Sequence, residues 1–244
     1  MKLITLNIWG GHVRQPLLDF IKLHQDIDIF CLQEVYQKAA RTICTLDGFE
    51  VDLDIFSEIG ALLPKHQAFF RPFLNNSYGI AMFVRNSIPV LEEGEVQIHD
   101  NPSYPGMGPT HLRNLQWIRV QTNNQDYTVM NVHGLWNGQG KTDTPERMEQ
   151  SKRIKDFVDT CAGPKILCGD FNLRPDTESL KILDVGMTNL IKTHNITSTR
   201  TSFYGKEEKF ADYVFVSPEI NIKHFEVMKD EVSDHSPLFL DFNC

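Results

Sequence analysis

Lys165-Ile166-Leu167-Cys168-Gly169-Asp170-Phe171-Asn172 is the stretch on which the reading of this chain turns. An apolar run, bounded by Gly163-Pro164 before it and Gly169 after it, has the pattern of a short strand buried on both faces. Asp170 and Asn172 alternate with Phe171, so a continued strand sends both to one side. A carboxylate and a carboxamide at the mouth of a buried strand are costly to desolvate without a partner, and a hard cation or a reacting water is such a partner. The competing reading is a turn, because Asp and Asn after Gly tolerate unusual backbone angles. The octapeptide alone leaves both open.

Upstream, Leu115–Val120 alternates as a half-buried strand, Asn123-Asn124 turns the chain, and Tyr127–Gly134 runs back as the second arm of a hairpin. Asn131 and His133 share one face of that arm, which opens into the polar, Gly-rich loop Gly134–Gly140 carrying Asn137. Thr144-Pro145-Glu146-Arg147 starts a helix with Met148, Ile154, Phe157 and Val158 on its buried stripe. Downstream, Asp176–Leu180 begins a short helix ended by Gly186, and Asn195–Tyr204 is a polar loop. Phe210–Pro218 is a strand with Asp212 at its start, and Asp234-His235 stands immediately before a terminal strand through Leu240.

The first half supplies two more polar strand ends. Lys2–Trp9 reads as a strand ending in Gly10-Gly11, with Asn7 inside its apolar run. A helix is expected over Pro16–Gln25 and a second strand over Asp26–Val35, which delivers Glu34. Strand, helix and strand in this spacing form a crossover unit, and that geometry brings Asn7 and Glu34 together. A helix is expected from Tyr36 to Cys44, and a strand or two with a loop between Phe49 and Phe73. Tyr78–Val84 is a strand, Asn86–Pro89 a turn and Glu95–His99 a further strand. Asp100–Pro109 holds three prolines and two glycines in ten residues, the composition of a surface loop and candidate lid.

A net charge of -8 argues against a basic nucleic-acid surface over the whole molecule, although an acidic protein still accommodates a local basic groove. The five cysteines form no C-x-x-C pair, and Cys31 and Cys168 sit in apolar runs. Reduced core thiols in a cytoplasmic protein are therefore expected, and zinc is not. The chain is strand-like from its third residue, which leaves no room for a signal peptide, and no apolar run approaches a membrane span. Without linker, repeat or low-complexity tract, residues 1–244 are expected to form one domain, and a monomer is expected.

The strand-end polar residues form the set LNIWGG, LQEV, NVHG, GDFN, ADYVFVS and SDHSPL, spread in that order over residues 6 to 238. This set resembles the endonuclease/exonuclease/phosphatase, or DNase I-like, family over nearly the whole chain. Members include DNase I, abasic-site endonucleases, tyrosyl-DNA phosphodiesterases, neutral sphingomyelinases and inositol polyphosphate 5-phosphatases. The resemblance implies an α/β (α+β) fold, a four-layer α/β/β/α sandwich of two mixed sheets packed face to face with helices outside and the site at one edge. It also implies a divalent-metal-dependent hydrolase of phosphate esters, of phosphodiesterase or nuclease type. Glu34 would be the main metal ligand, with Asn7 beside it and Asp234 assisting. Asp170 would orient or deprotonate the attacking water, Asn172 hold phosphate oxygens, His235 face the phosphate and Asp212 accept its other ring proton. His133 would donate to phosphate or protonate the leaving group, with its neighbours Asn131 and Asn137 binding substrate.

The chemistry has reasons to need these groups. Attack on an anionic phosphorus centre requires neutralised charge, a positioned water and help for the departing oxygen. Oxygen donors without cysteine suit Mg²⁺, with Mn²⁺ as a substitute. Substrate is not given by fold. Arg113 and Lys141 are candidate phosphate contacts, and Trp9 and Trp136 candidate stacking surfaces. Nucleic acid is one candidate partner; a phosphomonoester, lipid or inositol phosphatase and a catalytically silent binding module are the alternatives.

Overall fold

The computed structural model describes residues 1–39, 53–74 (of Leu74 only the backbone), 76–101, 103, 112–122 and 125–243. In the first sheet, β1 (Lys2–Asn7) runs parallel to β2 (Ile29–Tyr36), and α1 (Arg14–Leu23) makes the crossover between them. After α2 (Ile55–Leu62), β3 (His66–Leu74) and β4 (Tyr78–Arg85) form a hairpin against β2. In the second sheet, β5 (Val90–Asp100), β6 (Leu112–Thr122) and β7 (Gln125–His133) meander antiparallel. Then α3 (Pro145–Thr160) crosses to β8 (Lys165–Asp170), which runs parallel to β7. The short elements α4 (Glu178–Asp184), β9 (Thr188–Asn189) and α5 (Leu190–Thr193) precede β10 (Asp212–Val216), which is antiparallel to β8. The chain closes with β11 (Asn221–Val227) and β12 (Leu238–Asn243) back in the first sheet. Each sheet has six strands, in the orders β11-β12-β1-β2-β4-β3 and β5-β6-β7-β8-β10-β9.

Side-chain alternation makes the layers. Leu3, Ile29, Cys31, Met82 and Val84 point from the first sheet into a core shared with Leu115, Val129 and Leu167 of the second. Their neighbours Ile4, Leu6, Phe30 and Leu32 point the other way, onto Leu17, Phe20 and Ile21 of α1 and Ile55 and Ile59 of α2. Ile154 and Val158 of α3 and Leu180 and Leu183 of α4 cover the second sheet from outside. The expected α/β/β/α sandwich is what forms. Cys31 and Cys168 are buried free thiols in it, and no helix of the described residues is long and apolar enough to cross a membrane.

Differences from the expected elements have local causes. The stretch expected as strand and loop before Phe73 contains α2, whose buried stripe rests on Ile55 and Ile59 alone. The expected Tyr36–Cys44 helix begins on the last residue of β2 and runs through non-helical 37–39; the rest lies outside the described residues, as does most of the Asp100–Pro109 loop. β11 was hidden because a bulge between Ile222 and His224 breaks its alternation.

Asn131 is a polar clamp between the sheets. It is fully buried, donates to the Leu32 carbonyl at 3.1 Å and the Ala81 carbonyl at 3.2 Å, and accepts from Gln33 Nε2 at 2.7 Å. The expected substrate-binding role is therefore corrected: its amide is used up by the first sheet. Three buried hydrogen bonds at a net ~1 kcal/mol each predict that Asn131→Ala lowers the unfolding free energy by about 2–3 kcal/mol. Urea unfolding at unchanged slope reads this directly, and a loss below ~1 kcal/mol would show that the clamp is dispensable.

Candidate active site

Register gathers the polar residues at one edge of the sandwich. Parallel pairing sets His133 opposite Asp170, antiparallel pairing sets Asp212 opposite Asp170, and Asn7 ends β1 beside the end of β2. The approach of β7 to β8 depends on Gly169, whose φ is +133° and where a Cβ would lie 2.1 Å from the Val132 carbonyl oxygen. Glu34 sits where β2 bulges between Leu32 and Val35, at φ 57°. This left-handed conformation is unfavourable for a glutamate and aims its carboxylate into the cleft.

β8 stops at Asp170, and Asn172 has φ 52°. Asp170 Oδ1 accepts the Asn172 backbone N–H at 2.8 Å, so the turn reading of the octapeptide is correct, and both residues nonetheless line the cleft. Asn172 Nδ2 donates to the Gly134 carbonyl at 3.3 Å. Asn7 has a role different from the metal ligation expected of it. Its Oδ1 accepts the Trp9 N–H at 2.9 Å, which fixes the amide, and its Nδ2 donates at 3.0 Å to both Glu34 Oε1 and Asp170 Oδ2. In this arrangement the Asn7 amide nitrogen lies between the two carboxylates and spaces them.

His235 Nδ1 faces Asp212, 2.8 and 2.9 Å from its two oxygens, and Thr199 Oγ1 donates to Asp212 Oδ2 at 2.9 Å. His235 Nε2 lies 3.7 Å from both Asp170 Oδ2 and Asp234 Oδ1, beyond hydrogen-bonding range, and faces the cleft. Asp234 Oδ2 accepts from Arg200 Nη1 at 3.1 Å, so its charge is already compensated. His133 Nε2 lies 3.7 Å from Glu34 Oε1 and 3.9 Å from Asp170 Oδ2. Arg113, which is 1% exposed, donates from Nε to the Gly134 carbonyl at 3.1 Å and lies over the Phe73 ring. Asn137, expected to bind substrate, is not among the cleft-lining residues: it donates to Thr144 Oγ1 at 3.4 Å and accepts the Gln139 N–H, tying its own loop.

Charge divides these groups. Burial pushes the Glu34 carboxyl up, with Asp234 and Asp170 adding to it against the Asn7 hydrogen bond. Burial also opposes ionisation of Asp170, but His235, His133, Lys141 and Arg200 hold it well below the usual carboxylate range. Burial and Arg113 push His133 down to about 3, so it is neutral near pH 7. For His235 burial again acts against the charged form, yet Asp212, Asp234 and Asp170 raise it above 6.5.

The cleft encloses about 270 Å³ and also takes in residues that sequence reasoning did not assign: Tyr78, Arg200, Tyr204 and Lys206. Arg200 and Tyr204 belong to the polar Asn195–Tyr204 loop, which has no periodicity to place its side chains. Trp9 and Trp136 both line the mouth instead of the core. A larger groove of about 700 Å³ beside Trp117 and Phe157 lies away from this convergence.

Fold and site together define a two-sheet sandwich with carboxylates, imidazoles and guanidinium groups crowded at one strand edge, the arrangement of a hydrolase that works on phosphate esters. A model of the Endonuclease/Exonuclease/phosphatase family matches residues 4–235, and the chain belongs to that family, whose members are phosphoester hydrolases. No curated protein sequence matches it. Among solved structures it is similar to an endonuclease/exonuclease/phosphatase from Bacteroides vulgatus, with 19% identity and TM-score 0.73 over 99% of this chain and 98% of that one. It is similar to the Bacteroides thetaiotaomicron mannosyl-6-phosphatase, with 16% identity and TM-score 0.75 over 100% of both chains. It is also similar to D. rerio TDP2 complexed with a single-strand DNA product, with 17% identity and TM-score 0.75 over 100% of this chain and 99% of that one. At such identities the likeness is one of fold.

His235 gives a checkable sign. Its raised value means that the His235–Asp212 pair contributes stability fully present below pH 6.5 and lost as pH rises through the folded midpoint. Asp212→Asn removes the charge that most favours the imidazolium, so the His235 ring resonance is expected to titrate at lower pH than in wild type by NMR. The stability gap between wild type and variant should then be widest in acid and shrink in base; a gap that grows with pH would contradict the pairing.

Proposed function

We propose that the chain is a divalent-metal-dependent hydrolase of phosphate esters in which water attacks phosphorus. The observation that carries this reading is the convergence of Glu34, His133 and Asp170, each offering one ligand atom within 4.8 Å of the others, with Asp170, Asp212 and His235 forming a second such group. The donors fit a hard cation: Glu34 and Asp170 supply carboxylate oxygens, Asn7 holds both in place, and no thiol is among them. Glu34 would hold the ion, with Asp170 across the Asn7 amide. When bound, Mg²⁺ or Mn²⁺ supplies charge neutralisation at phosphorus and a water of increased acidity.

The remaining steps belong to side chains. Asp170 is too weak a base to take a proton readily, so it accepts a hydrogen bond from the attacking water and orients it. His235, whose charged form Asp212 favours while holding Nδ1, donates from Nε2 to a phosphoryl oxygen. Neutral His133 has no imidazolium proton to give a leaving group, and its Nε2, 3.7 Å from Glu34 Oε1 and 3.9 Å from Asp170 Oδ2, would face the ion together with those carboxylates. Arg113 and Asn172 line the same wall and add donors for phosphate oxygens.

Glu34→Gln and His235→Ala are each expected to lower turnover by at least ~10²-fold, the scale for loss of a transition-state donor or charge partner. Melting curves should stay cooperative. Chelation should abolish activity and added Mg²⁺ or Mn²⁺ restore it; near-normal turnover in either variant, or indifference to chelator, refutes the assignment.

A further inference from the structure

Lys141 is a charged cleft residue to which the hydrolase reading assigns no contact with substrate. It is 2% exposed, lines the cleft with Asp170 and His235, and donates from Nζ to the Phe210 carbonyl at 3.1 Å. Among the described residues no carboxylate forms an ion pair with it, whereas Arg200 beside it is matched by Asp234. Both cations rest on one ring: Arg200 Cζ is 4.0 Å and Lys141 Nζ 5.5 Å from the Tyr204 centroid. The loop that carries Lys141 is held from beneath by fully buried Arg147, which donates to the Leu135 carbonyl at 3.2 Å and the Thr142 carbonyl at 2.7 Å. The ammonium is thus positioned, buried and short of a counterion, a state whose cost an incoming anion relieves.

The number of charges to be matched differs between ester classes. A phosphodiester carries one negative charge and has two ester arms that must both leave the cleft. A phosphomonoester carries close to two near neutral pH and has one arm. Among the described residues the cleft is small. Its volume is about 270 Å³, and Lys206 lies 5.7 Å from the Trp136 centroid on the side where Tyr204 and Lys141 stand. A phosphate with one ring-sized substituent stacked at Trp136 or Trp9 fits that space.

We propose that the substrate is a small phosphomonoester and that Lys141 is the residue that selects it, by pairing with the terminal phosphate oxygen that a diester lacks as a charged group. This rests on the hydrolase reading. The oxygen of water forms a bond to phosphorus, the phosphorus–oxygen ester bond breaks, and the alcohol departs with a proton from solvent or water. The products are the alcohol and inorganic phosphate. The sequence-level preference for a phosphodiester, drawn from motifs shared across the family, contained no information on this loop.

The test uses the full chain in Mg²⁺ with para-nitrophenyl phosphate and bis-para-nitrophenyl phosphate. Wild type should favour the monoester in kcat/KM. Lys141→Met should lower the monoester-to-diester ratio by about tenfold or more, the loss expected for one charge-assisted hydrogen bond. Lys141→Arg should restore much of it. Calorimetric binding of inorganic phosphate should weaken by a similar factor in Lys141→Met and recover in Lys141→Arg. Preference of wild type for the diester, equal losses on both esters, or unchanged phosphate binding in Lys141→Met would overturn the proposal while leaving the hydrolase reading in place. Failure of wild type to hydrolyse either ester would overturn both.

Discussion

Asp170 is an ionised carboxylate that is 1% exposed, set at the seam where two sheets meet. A carboxylate so buried takes up a proton unless positive charge and donors surround it. Most of the site can be derived from that requirement. Parallel pairing of β7 with β8 supplies His133, antiparallel pairing of β10 supplies Asp212, and Asp212 in turn holds His235. The Asn7 amide comes from the other sheet and satisfies the same Asp170 oxygen that His133 and His235 approach. Strand register therefore does the positioning, and the charge of one residue explains why polar groups from both sheets are tolerated there.

Much of this was visible in the sequence because it sits at strand ends, where an apolar run stops and a polar residue follows. Glu34, His133, Asp170, Asp212 and His235 were all found that way, and they meet in one cleft or in the hydrogen-bond network behind it. Roles were harder to read than places. Asn7, Asn131 and Asn137 are the same residue type, yet one spaces two carboxylates, one clamps two sheets and one ties a loop. Those assignments depend on which partners arrive from distant segments, and an amide in a sequence carries no mark of its partners. Arg200 and Tyr204 were invisible for a related reason: their loop lacks any period, and their position comes from Thr199 bonding Asp212 and from the bridge between Arg200 and His235.

Two local readings that competed in the octapeptide turn out to coexist. Asp170 closes an Asx-type turn with Oδ1 and accepts the Asn7 amide with Oδ2. A turn residue and a functional residue need not be different residues when a carboxylate has two oxygens, one for the backbone and one for the cleft. The strained Glu34 backbone follows the same logic at the end of β2, since only a bulge points its side chain to the edge while Gln33 stays buried and bonds Asn131.

What separates chemistry from scaffolding in this molecule is unused hydrogen-bonding and charge capacity, not residue type. Asn131 and Asp212 are as polar as anything at the edge, but protein groups already occupy their oxygens or nitrogens. Among the described residues Glu34 has one neutral amide donor for its charge, His235 Nε2 lies beyond bonding distance of the neighbouring carboxylates, and Lys141 has a backbone carbonyl and the Tyr204 ring but no ion-pair partner. These three surround the same small volume and between them offer a place for a cation, a proton donor and an anion-seeking ammonium. A cleft that leaves both signs of charge incompletely matched is complementary to a ligand that is itself a metal-bound anion, and a phosphate ester with its divalent ion is such a ligand.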